Sequence, residues 1–459
     1  MRLARLIGPE LAGLIRESPG EVRELLDEIH PEDIADVVCD LDDERAAELL
    51  TQLPTEYAAQ VFARLDEARQ GQLASLMGSG STALIVTEMD ADERADFFSM
   101  LPASVGEPLL EELEKVDPEA AEDVEELTRW PENTAGGLMT TDYISVGPAL
   151  MISEATEELR RRAREAETVD TIYVVDSSNK LLGYLTLRNL LLSAPSEHVF
   201  DAMQSNIISV LPELDQEEVA KVLAKYDLHT LAVVDQAGEM LGVITSDDIL
   251  DVLAEEQAED VQKMGAIAPM DDGYFDSSIG VYIKKRAPWL LVLFVGGFFT
   301  TTAMKNFDRV LTAVAHLAFY VPLLVSAGGN SGSQSSTLVI RGLAVGDIKV
   351  KDWWRVLGRE LAQGVVLGLL LALLGVIRVV VAGDGALFAI LIAVTILSIV
   401  VMGCVVGGML PILLHRIGID PATSSNPFIA TLVDVFGIVI YLTMAQWLLS
   451  EALAVLPAH

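Results

Sequence analysis

Beyond Pro288 the chain carries five apolar runs, at about 288–304, 310–328, 358–382, 386–414 and 427–450. Each is near the ~20 residues that cross a bilayer core, although the first is short and the fourth long enough to require tilt or an interfacial extension. No other feature narrows the fold so far, because runs of this length cross a membrane only as helices. The rest of the chain has the opposite character. Of a net charge of −37, residues 1–285 carry −39 and residues 286–459 carry +2. Such an acidic half repels nucleic acid, so no nucleic-acid partner is expected, and it attracts cations. Salt adaptation is an alternative source of the same acidity. Cys39 and Cys404 lie in different halves and are not expected to pair, and no Cys/His cluster offers zinc ligands.

Basic residues orient the runs. Lys284, Lys285, Arg286, Arg341, Lys349, Lys351, Arg355, Arg359 and Arg416 fall on one side of a five-span arrangement, whereas Lys305 and Arg309 fall on the other, with Arg378 near that end. The side richer in Lys and Arg is the cytoplasmic one. The opening stretch MRLARLIGPE lacks the apolar core of a secretion signal. A multi-pass protein of the cytoplasmic membrane is therefore expected, in contact with the lipid bilayer, with its N-terminus cytoplasmic and its C-terminus outside.

The fifth run contains Asp434, read as the one acid well inside a span. An ionised carboxylate at a helix centre costs roughly 2.5–3.5 kcal/mol on insertion scales, so it faces a partner or water. Arg378 lies near the outer end of its run and can snorkel away, which leaves water and a cation. Asn426, Ala430 and Asp434 are spaced i, i+4 and i+8, on one helical face. The preceding SSNP breaks regular structure, since the residue before a proline is pushed from α geometry. In PLLVSAGGNSGSQS, residues 322–335, Pro322, Gly328, Gly329, Asn330 and Gly332 are expected to interrupt the second span and open an oxygen-rich mouth. A membrane-exit loop is the plainer alternative. Oxygen donors without Cys or His suit a hard cation such as Mg²⁺ or Ca²⁺.

The soluble half shows two internal repeats. LDDERAAELLTQLP (41–54) parallels MDADERADFFSMLP (89–102), and each helix is stopped by its Leu-Pro. Recurring helical units of this kind stack into a superhelix. Further on, IYVVDSSNKLLGYLTLRNLL (172–191) parallels LAVVDQAGEMLGVITSDDIL (231–250), each predicting strand, turn, strand, helix. This resembles a tandem pair of CBS modules, a regulatory fold that commonly binds adenine nucleotides. Asp248 stands where such modules often place a ribose-binding acid, but the first copy has Asn189 after Arg188. ATP with Arg188 as its contact is the cofactor expectation, and Asn189 weighs against it.

The expected fold class is a multidomain membrane protein with an N-terminal α-helical superhelix, an α/β tandem CBS pair, a connecting helix and an all-α five-span membrane domain. The expected boundaries are 1–130, 131–253, 254–286 and 287–459. That order, with PLLVSAGGNSGSQS and NPFIATLVDVFG, resembles the MgtE family of magnesium channels over essentially the whole chain. The resemblance implies a homodimer around one pore built largely from the second and fifth spans. Asp434 is then the selectivity carboxylate, and Asn426 and Ala430 neighbour the ion. It also implies Mg²⁺ sensing by Asp92 and Asp96 of the first domain, Asp227, Asp248 and Asp251 of the second CBS module, and Glu256, Glu259 and Asp260 of the connecting helix. Asp420, in GIDPA near the cytoplasmic mouth, is expected to attract ions. A Mg²⁺-gated channel for magnesium uptake is the first expectation, an ion-coupled divalent-cation transporter the alternative, and a cation sensor the third. No motif for hydrolysis, phosphoryl transfer or redox chemistry points to an enzyme.

Overall fold

The computed structural model describes residues 29–449 apart from 165, 271–273 and 275–276. The opening stretch and the C-terminus, on which the expectations above also drew, lie outside the described residues. Contacts divide the chain into two compact units at Leu253/Ala254.

The first unit begins with helices α1 (Pro31–Asp40), α2 (Asp43–Gln52), α3 (Thr55–Ala63), α4 (Glu67–Met77), α5 (Ser79–Thr87), α6 (Ala91–Met100), α7 (Ala103–Val116) and α8 (Pro118–Leu127). The repeat read in the sequence is α2 and α6. Asp42 precedes α2 and caps it by accepting the Arg45 N–H at 3.1 Å; Asp90 holds the corresponding extended position before α6. Each helix ends on an extended leucine before proline, Leu53 and Leu101. Short amphipathic helices of this kind are held by the core they share, here Val38, Leu50, Phe62, Leu73, Val86 and Phe97. Arg94 is buried and donates to the carbonyls of Val86 and Met89 at 3.0 and 2.6 Å, pinning α6 to the helix before it.

The CBS expectation is met strand for strand. The first copy contributes β1 (Ser145–Val146), α9 (Ile152–Arg162), β2 (Thr171–Val175), β3 (Leu181–Thr186) and α10 (Leu187–Leu192), followed by the short α11 (Val199–Ala202). The second contributes β4 (Ser209–Val210), α12 (Gln216–Tyr226), β5 (Thr230–Val234), β6 (Met240–Thr245) and α13 (Ser246–Met264). In both sheets the first strand pairs parallel and the last antiparallel to the middle one, with matching irregularities at Val174/Val175 and Val233/Val234. The Tyr173 hydroxyl donates to Thr230 Oγ1 at 2.9 Å, a buried hydrogen bond joining the copies. The connecting helix is thus the C-terminal part of α13, continuous with the second CBS copy.

The second unit holds α14 (Ile279–Asn306), α15 (Asp308–Ala313), α16 (His316–Ala344), α17 (Trp353–Ala382), α18 (Ala386–Arg416) and α19 (Asn426–Leu448). Among the described residues four helices are long and apolar enough to cross a membrane: Ile279–Asn306, Val350–Ala382, Ala386–Arg416 and Asn426–Leu448. The fifth long helix, α16, has 29 residues but a polar second half.

Here one sequence expectation fails. Pro322 and the glycines of 322–335 do not interrupt a span, because α16 runs unbroken through all of them. The reason lies in packing. A Cβ on Gly332 would sit 3.2 Å from the Gly403 carbonyl and 2.9 Å from Ile429, and one on Gly403 or Gly407 would strike the α16 backbone. The small residues let α16 and α18 approach backbone to backbone, the usual device for helix association in an apolar medium. α18 packs against α16, α17 and α19, and its Leu391, Ile392, Ile399 and Val400 are buried. Leu369, Leu370, Leu373 and Leu374 of α17 are exposed, an apolar surface suited to lipid.

Candidate functional site

Ser425 and Pro427 start α19 abruptly. Ser425 is non-helical, with φ −47 and ψ 147, and proline at the first turn lacks only an N–H that would be unbonded there. This places Asn426, Ala430 and Asp434 on the face turned to α16. A Cβ built on Gly329 would lie 3.5 Å from the Ala430 Cβ and 3.8 Å from Asp434 Oδ1. One turn on, the Ser333 hydroxyl donates to the Asn426 carbonyl at 3.4 Å, and the Thr337 hydroxyl to Asn426 Oδ1 at 3.5 Å. Two antiparallel stripes, 329/333/337 and 434/430/426, therefore face each other. Between them they present a carboxylate, an amide, two hydroxyls and space where side chains are missing. Among the described residues no basic side chain pairs with Asp434. Arg378 lies elsewhere, in a cavity with His316, Tyr320 and Asp384, where the Tyr320 hydroxyl donates to Asp384 at 2.6 Å.

Asp420 stands at the turn before α19, where one oxygen accepts the Ala422 N–H at 2.8 Å. Its other oxygen lies 2.6 Å from Lys263 Nζ, which also sits 2.5 Å from Glu259. Burial opposes the Lys263 charge, but bonds to Asp420 and Glu259 outweigh it and hold the ammonium above its ordinary range. Two acids picked out from the sequence are thus brought together by a lysine the sequence reading passed over.

In the first unit, α6 carries Asp92 and the start of α13 carries Asp248. Burial raises the Asp92 carboxyl well above the usual range, and the charges of Asp248, Glu167, Glu93 and Asp90 raise it further. Burial and Asp90 push Glu93 to about 7, against the opposing Arg64; burial, Asp90 and Asp248 push Glu167 to about 8. Asp92 Oδ1 and Glu167 Oε2 are buried without a hydrogen-bond partner among the described residues. Asp248 is raised by burial and by Asp247, although its carboxylate accepts from the Thr245 N–H and hydroxyl. The expected acids thus come together only in part. Asp92 and Asp248 converge, joined by Glu93 and Glu167, which the sequence reading did not single out. Asp96 is exposed one turn from Asp92, and Asp251, Glu256 and Asp260 continue along α13. Asp227 is exposed at the left-handed cap of α12, with φ 54 and ψ 48, and is not among the main charges acting on Asp92 or Asp248. Arg188 is exposed on α10, and the neighbouring Asn189 N–H is capped by Thr186 Oγ1 at 3.1 Å.

A second acid inside an apolar helix corrects the view that Asp434 is alone. Glu360 of α17 is 4% exposed. Its place between Arg359 and a long apolar run was the available signal, obscured because the nearby charges read as a basic membrane edge. Among the described residues, no three His, Cys, Asp or Glu side chains converge closely enough to hold a metal unaided. Any ion at these sites keeps water or gains ligands from a second chain.

Comparison with known proteins places these features in context. The MgtE family model, described as a divalent cation transporter, matches residues 321–444; the MgtE intracellular N domain matches 29–133; and the CBS domain matches 135–195 and 199–255. The magnesium transporter MgtE of Thermus thermophilus is 43% identical over 334 residues, 73% of this chain and 74% of its own length. That of Bacillus subtilis is 30% identical over 425 residues, 93% of each. The crystal structure of the soluble part of a magnesium transporter aligns with a TM-score of 0.52 at 29% identity, covering 56% of this chain and all of its own.

Proposed function

The chain belongs to the MgtE family, and from that premise we propose that it is a Mg²⁺-selective, Mg²⁺-gated homodimeric channel for magnesium uptake across the cytoplasmic membrane. The observation that carries this reading is Asp434, an acid on a membrane-length helix, turned to the small-residue stripe of α16 with no basic partner among the described residues. An isolated carboxylate at that depth is costly unless it meets water and a cation. Two chains arranged about an axis beside α16 and α19 bring two copies of Asp434 to one passage. Mg²⁺ sheds its hydration shell reluctantly, so the carboxylates hold it through retained water, with Asn426 and Ala430 shaping the space around that shell. Asp420 concentrates cations at the cytoplasmic mouth.

The acidic soluble region, 1–253, is the sensor, and the connecting segment, 254–286, transmits its state to the pore region, 287–459. Asp92 and Asp248 repel one another until a cation sits between them, so the compact arrangement is populated in proportion to cation concentration. Asp96 and Asp251 extend the same field, and closure follows rising cytoplasmic Mg²⁺. The CBS pair offers Arg188 to the phosphates of ATP. The cytoplasmic side is that of α13, which leaves the end of α19 outside.

Mg²⁺ flux into liposomes tests the pore directly. Asp434→Ala removes an interaction of about 2.7 kcal/mol and should cut flux roughly 100-fold; uptake equal to the unaltered protein would end the assignment. A second reading, ion-coupled divalent transport, gains support from Glu360, which supplies the second membrane acid a relay needs. It requires flux to follow an imposed pH or Na⁺ gradient.

A further inference from the structure

Near the N-terminal end of α17 a cavity of about 590 Å³ opens between the end of α16, the loop at 345–352 and the first turns of α17. Two neighbouring stripes at the start of α17 line it: Val356 and Glu360 with Asp352 of the preceding turn, at i, i+4 and i+8, and Arg355, Arg359 and Gln363 likewise. Asp347 joins them from the loop. Glu360 is 4% exposed, and its Oε2 is buried with no hydrogen-bond partner among the described residues. The packing makes room for this acid. A Cβ on Gly408 of α18 would meet Glu360 Cγ at 2.7 Å, Cδ at 3.2 Å and Oε2 at 3.7 Å, so α18 presents no side chain where the Glu360 carboxylate lies.

A buried carboxylate oxygen left without a donor is costly, and an apolar side chain would fill the same place at less cost. The nearby arginines do not answer it. Arg355 is 86% exposed and turned to Asp352 at 3.7 Å, and Arg359 is exposed. What the cavity does supply is oxygen: the Glu360 and Asp347 carboxylates and the Gln363 amide, beside an Asp352 that also accepts the Lys349 N–H at 3.2 Å, with volume for a cation that keeps most of its water. One or two carboxylates with retained water is how Mg²⁺ is commonly held.

We propose that this cavity is a second cation site, in which the Glu360 carboxylate holds a hydrated divalent ion, with Asp347, Asp352 and Gln363 contacting its water shell. The site is separate from Asp434 and does not rest on the channel reading, since its ligands come from α17 and the loop before it. It accounts for an acid buried in an apolar helix, where the packing gives it space and leaves Oε2 without a hydrogen-bond partner among the described residues.

Mn²⁺ serves as the probe, being a hard divalent ion with a paramagnetic and an anomalous signal. Bound Mn²⁺ counted by electron paramagnetic resonance on the full chain in detergent should fall by one per chain in Glu360→Gln, and this loss should add to any loss from Asp434→Asn. An unchanged count in Glu360→Gln overturns the proposal. If that variant does not fold, the unaltered protein decides. An anomalous difference map of Mn²⁺-soaked crystals should show a peak in the cavity within about 5 Å of the Glu360 carboxylate, the reach of a water-mediated contact. A map with no peak there overturns the proposal, whether or not one appears at Asp434.

Discussion

Asp92 and Asp434 set the two halves of the molecule against each other. Asp92 is buried among acids, with Asp248, Glu167, Glu93 and Asp90 all acting on it. Asp434, with Ala430 on the same stripe, faces the bare backbone of Gly329. The first arrangement is opposed by mutual repulsion that a cation would relieve, which suits the proposed sensor. In the second, a carboxylate beside open space would let an ion bind and leave, which suits the proposed passage. On this reading the same functional group serves two ends, and its neighbours decide which.

The largest expected effect comes from forcing α18 away from α16, the helix whose backbone faces Asp434. Gly407→Leu drives a side chain into the α16 backbone, an overpacking that should cost about 3 kcal/mol or more. Thermal unfolding in detergent would register it in the membrane unit, and an unchanged transition would mean that α16 and α18 are not held this closely.

A smaller effect is expected in the soluble unit. Asp92→Asn removes the central charge and should stabilise the Mg²⁺-free protein, while weakening its response to added Mg²⁺. Hydrogen exchange of α6 with and without EDTA would show both. The same acids give a pH dependence of known sign. Glu93 and Glu167 sit at about 7 and about 8 in the fold against 4.5 for a free glutamate, so the folded state holds protons that the unfolded chain releases. Their contribution is fully present below about 4.5 and is lost as pH rises through about 7 and 8. Without Mg²⁺, α6 should lose protection from pH 6 to 8.5 once intrinsic exchange is corrected, and Mg²⁺ should flatten that slope.

The smallest effect concerns Lys263, a tethered cation where the family resemblance implies Mg²⁺. Lys263→Met leaves Glu259 and Asp420 without their shared partner. Discounted for partial exposure, the lost pairing is about 1 kcal/mol, so Mg²⁺ should close the channel at about fivefold lower concentration, read as flux against internal Mg²⁺. No shift would mean that the lysine does not compete with the ion.

Much of this was legible in the sequence. The paired LDDERAAELL and MDADERADFF segments became α2 and α6 because cap and proline chemistry is local. The CBS repeat fixed both sheets, because alternating apolar residues closed by the same turn specify register. Asp434 and its i−4 and i−8 companions followed from helical period alone. What escaped depended on neighbours distant in the chain. Gly328, Gly329 and Gly332 read as breakers, and only the α18 backbone beside them explains an unbroken helix. Glu167 comes from a loop, and nothing local in the sequence links it to Asp92. Glu360 was hidden by Arg359 beside it, and its burial depends on Gly408, 48 positions away.

The central claim is that Asp434 carries Mg²⁺ through water rather than supporting the fold. Single-channel recording in a planar bilayer with Mg²⁺ as the only cation tests it most directly. The unaltered protein should conduct, and Asp434→Asn, which keeps the shape and removes the charge, should lose that Mg²⁺ current. Equal Mg²⁺ conductance in the two proteins would contradict the account.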